Sequence, residues 1–139
     1  MQMRTDRRNG LTLVHLAGEL DKLTSDAVRS ELARSVGAGD LLVDLTDVTF
    51  LDSAGLHVLF RLARSQAEAG ARLGVVVPTT SPVRRVVEIA HVEGAAVVCT
   101  SVDEGVLQLR NVSLAPGSGT AGPVETTGET GSHLVEILR

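Results

Sequence analysis

Asp52-Ser53-Ala54-Gly55-Leu56 carries the main chemical signal of the chain. It follows an apolar run ending at Leu51 and opens an amphipathic stretch, so Ser53 falls where a strand hands over to a helix. A helix start presents unpaired N–H groups and the positive end of the macrodipole. An anion fits there, including a phosphate carried by the serine itself. The competing reading is that Asp52 or Ser53 merely caps the helix, a role worth about 1 kcal/mol. Gly55 is a poor helix former in the first turn. Its missing side chain is read as leaving room for another protein or a nucleotide phosphate to approach Ser53. Asp52, with Asp21 elsewhere, is expected to repel a phosphate once one is attached.

Catalysis at Ser53 would need a base, and His57 lies one helical turn further on. A nucleophile also needs an oriented base and an oxyanion hole, and the Gly-x-Ser-x-Gly elbow is absent. His57 is therefore read as a surface residue at a binding face, and no enzyme activity is expected. His15, His91 and His133 are not spaced for a metal site. Asp44 ends an apolar run, as the acceptor of a receiver domain would. The only lysine, Lys22, is in the wrong place for that chemistry, and Asp44 is read as capping a strand-to-loop turn. Gly117-Ser118-Gly119-Thr120-Ala121-Gly122 has dinucleotide spacing but runs into Pro123 instead of a helix. Gly37-Ala38-Gly39 precedes a strand, which is the reverse order. No cofactor is expected.

The elements that must position Ser53 can be read from apolar spacing. Met3 to Arg7 is a short strand, Asn9-Gly10 a hairpin turn, and Leu11 to Leu16 a second strand ending at Gly18. Thr24 is read as the N-cap of a helix with Ala27, Val28, Leu32 and Val36 on its apolar face. Leu41-Leu42-Val43 is a strand covered on both faces. A loop after Asp44 leads to a further segment, Val48 to Leu51. The Ser53–Ala69 helix has Leu56, Leu59, Phe60 and Ala63 on one side, with Arg61, Arg64 and Gln66 elsewhere. Then come a strand over Leu73–Val77, a helix begun by Ser81-Pro82, a strand over Ala95–Thr100 and a helix over Asp103–Arg110. Alternating strands and helices predict an α/β fold. The sheet should be mixed, mostly parallel with an antiparallel N-terminal edge hairpin, and packed with about four helices.

Composition narrows the function classes. The 139 residues suit one domain and an extension, and 43% hydrophobic content supplies a core that is aliphatic, because Phe50 and Phe60 are the only aromatics of the chain. Without Trp or Tyr, and at a net charge of −4, direct nucleic-acid or anionic-membrane binding is not favoured. Cys99 is the only cysteine and reads as a buried thiol. No segment has the length of a membrane span and no signal region is apparent, so a cytoplasmic protein is expected. Residues 1–112 are assigned to the domain. Residues 113–139 are assigned to a tail rich in Gly, Ser, Thr and Pro, with a short apolar end over His133–Arg139. That end is expected either to fray or to dock on its own domain or a partner.

Three segments together resemble the STAS domain of bacterial anti-sigma factor antagonists. Leu16-Ala17-Gly18-Glu19-Leu20-Asp21, with Thr24 following, is similar to that family's turn after its second strand. Val43-Asp44-Leu45 with Val48 and Phe50 is similar to its central strand and loop. Asp52-Ser53-Ala54-Gly55-Leu56 is similar to its phosphorylation motif. The resemblance covers about residues 3–110. It implies an unphosphorylated protein that binds an anti-sigma serine kinase of histidine-kinase-like ATPase fold and thereby releases a sigma factor. It further implies that the kinase phosphorylates Ser53 with Mg-ATP and so breaks the complex, and that a metal-dependent serine phosphatase restores it. Asp21, Thr24, Asp52, Ser53, Ala54, Gly55 and His57 then form the partner-binding positions. Ala54 replaces a second hydroxyl found in many relatives, and His57 stands where a small residue is common. The alternative on the same fold is a constitutive scaffold or transporter-associated module in which Ser53 is only a cap.

Overall fold

A computed structural model describes residues 1–35 and 37–114 of the chain. The elements run β1 (Gln2–Arg8), β2 (Leu11–Leu20), α1 (Ser25–Ser35), β3 (Asp40–Leu51), α2 (Ser53–Glu68), β4 (Leu73–Val76), α3 (Arg84–Ile89), β5 (Val97–Cys99) and α4 (Val102–Leu114). A single 3₁₀ turn, Val92–Gly94, lies between α3 and β5. The five strands form one sheet in the order β1-β2-β3-β4-β5. β1 pairs antiparallel with β2 and every other neighbour is parallel, as the sequence predicts. The hairpin turns through Asn9 at φ 51° and Gly10 at φ 80°, the left-handed pair that matches strand twist.

Parallel strands need crossover helices, and these divide the core in two. On one face Val14, Leu16, Val43, Leu45 and Val75 pack with Val28 and Leu32 of α1, Val58 and Leu59 of α2, and Val87 of α3. On the other face α4 stands alone, its Leu109 packing with Leu11, Leu13, Leu42, Val76 and Cys99. α1 and α2 each start beside the C-terminal ends of the strands and run back to their beginnings, which places both helix starts on one edge of the sheet.

Several expectations need correction. β2 does not end at Gly18 but continues to Leu20, and β3 is one strand of 12 residues with no loop after Asp44. The cause is the pairing register. Ala17 pairs with Asp47 although His15 pairs with Asp44, and Glu19 pairs with Phe50 although Gly18 pairs with Val48. β3 thus holds one extra residue at each slip. Bulges break the two-residue alternation, and the sequence pattern there imitates a loop. Asp44 accordingly sits inside a strand and caps no turn. Its carboxylate bonds His15 Nδ1 at 2.7 Å, Thr46 N at 3.0 Å and Thr46 Oγ1 at 2.5 Å.

Ala27 faces solvent, because α1 buries only the narrow row of Ser25, Val28 and Leu32. Gln66 is buried rather than turned outward. Its amide donates to Gly39 O at 2.9 Å and Arg72 O at 3.0 Å, tying the end of α2 to the starts of β3 and β4. A polar side chain can join an apolar face when its bonds are met internally. β4 ends at Val76 and β5 spans only Val97–Cys99. Val36 and the tail, including the Gly117–Gly122 pattern, His133 and the apolar end, lie outside the described residues.

Cys99 is buried, and that burial pushes its thiol up to about 11. The folded state thus prefers the neutral thiol. Its stabilising contribution is complete below the ordinary thiol range of about 8.5 and is lost as pH rises toward the folded value. At pH 8 the native protein should react with a disulfide reagent orders of magnitude more slowly than protein unfolded in guanidinium. Equal rates for the two would refute a sealed thiol.

Candidate functional site

β2 and β3 lie side by side and parallel, so the segments that leave their ends are neighbours. The Asp21–Thr24 turn leaves β2, and α2 leaves β3 after the single residue Asp52. Asp52 is the N-cap, with extended backbone (φ −108°, ψ −170°), and its Oδ1 accepts from Gly55 N at 3.0 Å. Its second oxygen accepts from Lys22 N at 3.2 Å across the gap between the two segments. Asp52 N donates to Leu20 O at 3.4 Å. One carboxylate therefore caps the helix and fastens the β2 turn to it.

The turn is built by Asp21 in the same manner. Its Oδ1 accepts from Leu23 N and Thr24 N, both at 3.0 Å. Thr24 Oγ1 donates to Glu19 O at 2.7 Å and accepts from Asp21 N at 3.0 Å. Thr24 stands at the N-cap position of α1, as the sequence predicts, without a side-chain bond into the helix. The hydroxyl instead points back into the turn, while its carbonyl accepts from Val28 N at 3.0 Å. Asp21 and Asp52 are each engaged by two or more N–H groups, which is a scaffolding role for both.

Ser53, the first residue of α2, is exposed. Among the described residues its hydroxyl makes no hydrogen bond, because Asp52 already fills the capping position. Neither Ser53 N–H nor Ala54 N–H has a helical carbonyl behind it. His57, one turn on, is exposed as well, and Ala54 is half-buried. Gly55 is turned the other way. It is buried, and a Cβ there would stand 2.3 Å from Leu20 O and 2.6 Å from Leu51 Cδ1. The glycine lets α2 sit down on the end of β2, and no approaching group can use the space. Close approach of the chain to itself therefore explains Gly55, in place of access to Ser53.

Leu23 was not singled out from the sequence. It is 90% exposed at the tip of the pinned turn. Its signal was an apolar side chain in an otherwise polar run, Asp21 to Ser25, that belongs to neither neighbouring element. Phe50 is 51% exposed on β3, outside the core. Among the described residues no group of three or more His, Cys, Asp or Glu side chains is placed to hold a metal ion. No described helix is long and apolar enough to cross a membrane.

A family model described as the STAS domain matches residues 2–105. The chain belongs to the STAS domain family. An anti-sigma F factor antagonist of Paenibacillus polymyxa is 27% identical over 93 residues, covering 65% of this chain and 79% of that protein. The crystal structure of an anti-sigma factor antagonist from Mycobacterium paratuberculosis superposes with a TM-score of 0.66 at 23% identity, over 78% of this chain and 93% of that one. The STAS fold also matches part of a murine solute carrier 26 anion transporter, A9, with a TM-score of 0.60 at 20% identity. That match covers 73% of this chain and 18% of the transporter.

The cap of this STAS domain gives a direct test of the scaffold. Asp52→Ala removes the bond to Gly55 N and the link to Lys22 N together. A lost cap costs about 1 kcal/mol, and the second bond adds a comparable amount. Chemical denaturation should show a loss of about 2 kcal/mol. An unchanged midpoint would contradict the scaffolding role.

Proposed function

We propose that this STAS domain is an anti-sigma factor antagonist switched by phosphorylation of Ser53. With Ser53 unmodified it binds an anti-sigma factor that is also a serine kinase, and the sigma factor is released. Phosphate on Ser53 ends the interaction, and a serine phosphatase resets it. The observation that carries this reading is the separation of two jobs at the start of α2. Asp52 caps the helix, and the neighbouring hydroxyl is left exposed with no bond among the described residues. The relatives named as anti-sigma factor antagonists support the same reading.

Binding would centre on Ser53, Ala54 and His57, with the Asp21–Thr24 turn beside them presenting Leu23. Asp21 and Asp52 hold that surface in shape. An apolar anchor beside a neutral hydroxyl suits an interface that excludes water. Phosphorylation adds about −1.5 to −2 charges at that point. The charge would be buried against the partner and beside the Asp52 carboxylate, which raises the cost of the complex without any change of fold.

Phosphopeptide mass mapping of the protein from its native cells, across growth and stress conditions, tests the proposal. Phosphate on Ser53 at varying occupancy is the expected result. Its absence under all conditions, with phosphatases inhibited, would leave a constitutive scaffold. That second reading draws on the transporter that shares the fold.

A further inference from the structure

A groove of about 720 Å³ runs between α1 and α2, from His57 along α2 to Ala69. Phe60 and Leu62, both half-buried, supply its apolar lining above the fully buried Leu32, and Arg29, Arg61 and Arg64 its cations. Arg29 is held by Asp26 at 2.9 Å, and Glu68 also borders the groove. Arg61 and Arg64 are exposed, and neither meets a carboxylate among the described residues. The groove thus offers two half-buried apolar side chains beside the positive charge of Arg61 and Arg64. A segment with an apolar side and a carboxylate complements it.

The chain carries such a segment. In His133-Leu134-Val135-Glu136-Ile137-Leu138-Arg139, Leu134, Ile137 and Leu138 fall at i, i+3 and i+4, and Glu136 stands between them. Glu125 and Glu129 precede it with no Lys or Arg between 111 and 138, so residues 111–139 hold three carboxylate side chains against Arg139 alone. The topology brings the two within reach. α4 starts beside Cys99 at the end of β5, and its Leu109 lies against Gly74 at the start of β4. Its C-terminal end is therefore at the same edge of the sheet as the C-terminal end of α2, where Gln66 bonds Gly39 O and Arg72 O. The helices lie on opposite faces, about 20 Å apart for layers spaced about 10 Å. A Gly/Ser-rich connection with the length of 115–133 spans about 25 Å.

We propose that His133–Arg139 of this chain docks in the groove between α1 and α2. Leu134, Ile137 and Leu138 meet Phe60 and Leu62, and Glu136 meets Arg61 and Arg64. The docked segment would occupy the α2 surface that continues from Ser53 through His57, and so limit how far a partner extends along that helix. The proposal is independent of whether Ser53 is phosphorylated.

Paramagnetic relaxation in the full-length chain tests it. A nitroxide is attached at Ser132→Cys in ¹⁵N-labelled protein, with the buried Cys99 left unmodified. The expected result is broadening of the Ala33, Arg61, Leu62 and Ser65 amides severalfold beyond that of β1 and α4. Leu134→Asp with Ile137→Asp should abolish this selectivity, and Arg61→Glu with Arg64→Glu should reduce it at least threefold. Uniform broadening, or broadening confined to the α4 face, would overturn the proposal. So would the same pattern when the nitroxide is on unlabelled copies mixed with ¹⁵N copies, since a second molecule would then be the occupant. Selectivity that survives the Leu134/Ile137 double variant would overturn the contact assigned here.

Discussion

Ser53→Ala is expected to bind the anti-sigma kinase as tightly as unphosphorylated protein and to stay bound in the presence of ATP. Phosphorylated wild-type protein should bind about a thousandfold more weakly. The size follows from burying an unpaired charge at an interface, which costs several kcal/mol, since about 4 kcal/mol corresponds to three decades of affinity. Ser53→Asp carries one charge where phosphate carries nearly two, so a loss of at least tenfold is expected for it. These substitutions are informative because Ser53 is not the cap. Asp52 accepts the Gly55 N–H, so replacing the serine leaves the start of α2 intact. Thermal stability should therefore shift by less than about 0.5 kcal/mol in either variant. Ser53→Ala can serve as bait for the kinase, and calorimetry on the captured pair gives the affinities. If the alanine and aspartate variants bind alike, Ser53 is no switch. If the alanine variant is folded and fails to bind, the interface does not centre on Ser53.

Gly55→Ala should be the most damaging single-methyl change near the site. An exposed helix position gains about 1 kcal/mol from this replacement. Here the new Cβ would lie 2.3 Å from the Leu20 carbonyl oxygen and 2.6 Å from Leu51 Cδ1. One neighbour is backbone and cannot rotate away, so α2 must lift from the end of β2. Overpacking of this kind costs about 1–3 kcal/mol. The lift also strains the Asp52 bonds to Gly55 N and Lys22 N. A net loss of about 2 kcal/mol is expected, seen as a fall in Tm of roughly 8 °C or more. Partner binding should weaken too, because the Asp21–Thr24 turn would lose its fixed place beside Ser53. A variant with unchanged or raised Tm would show that the helix start is free to shift, and the rigid-platform account of the site would fail.

Sequence and structure contribute different parts of this picture. The alternation of strands and helices was legible because each element buries a face with its own period. Asn9-Gly10 fixed the hairpin through left-handed backbone that few other residue pairs adopt. The position of Ser53 at a strand-to-helix junction followed from the same periodicity. The bulges of β3 were not legible, because an extra residue erases the alternation that marks a strand. Gln66 was misplaced because its burial depends on carbonyls at Gly39 and Arg72, supplied by other segments.

The largest difference lies at the site itself. Sequence alone determined that a serine and an aspartate stand together at the start of a helix, and that a glycine follows. It could not say which of the two caps the helix, because both side chains can accept the same N–H. Nor could it say what the glycine makes room for. Only the parallel pairing of β2 with β3 decided these points. It brings the Lys22 N–H within reach of Asp52, which holds that carboxylate in the capping position and leaves the Ser53 hydroxyl outside. It also sets the Leu20 carbonyl against Gly55, so the missing side chain serves the fold. Contacts between residues 30 or more positions apart leave no local trace in a sequence, since no spacing rule connects them.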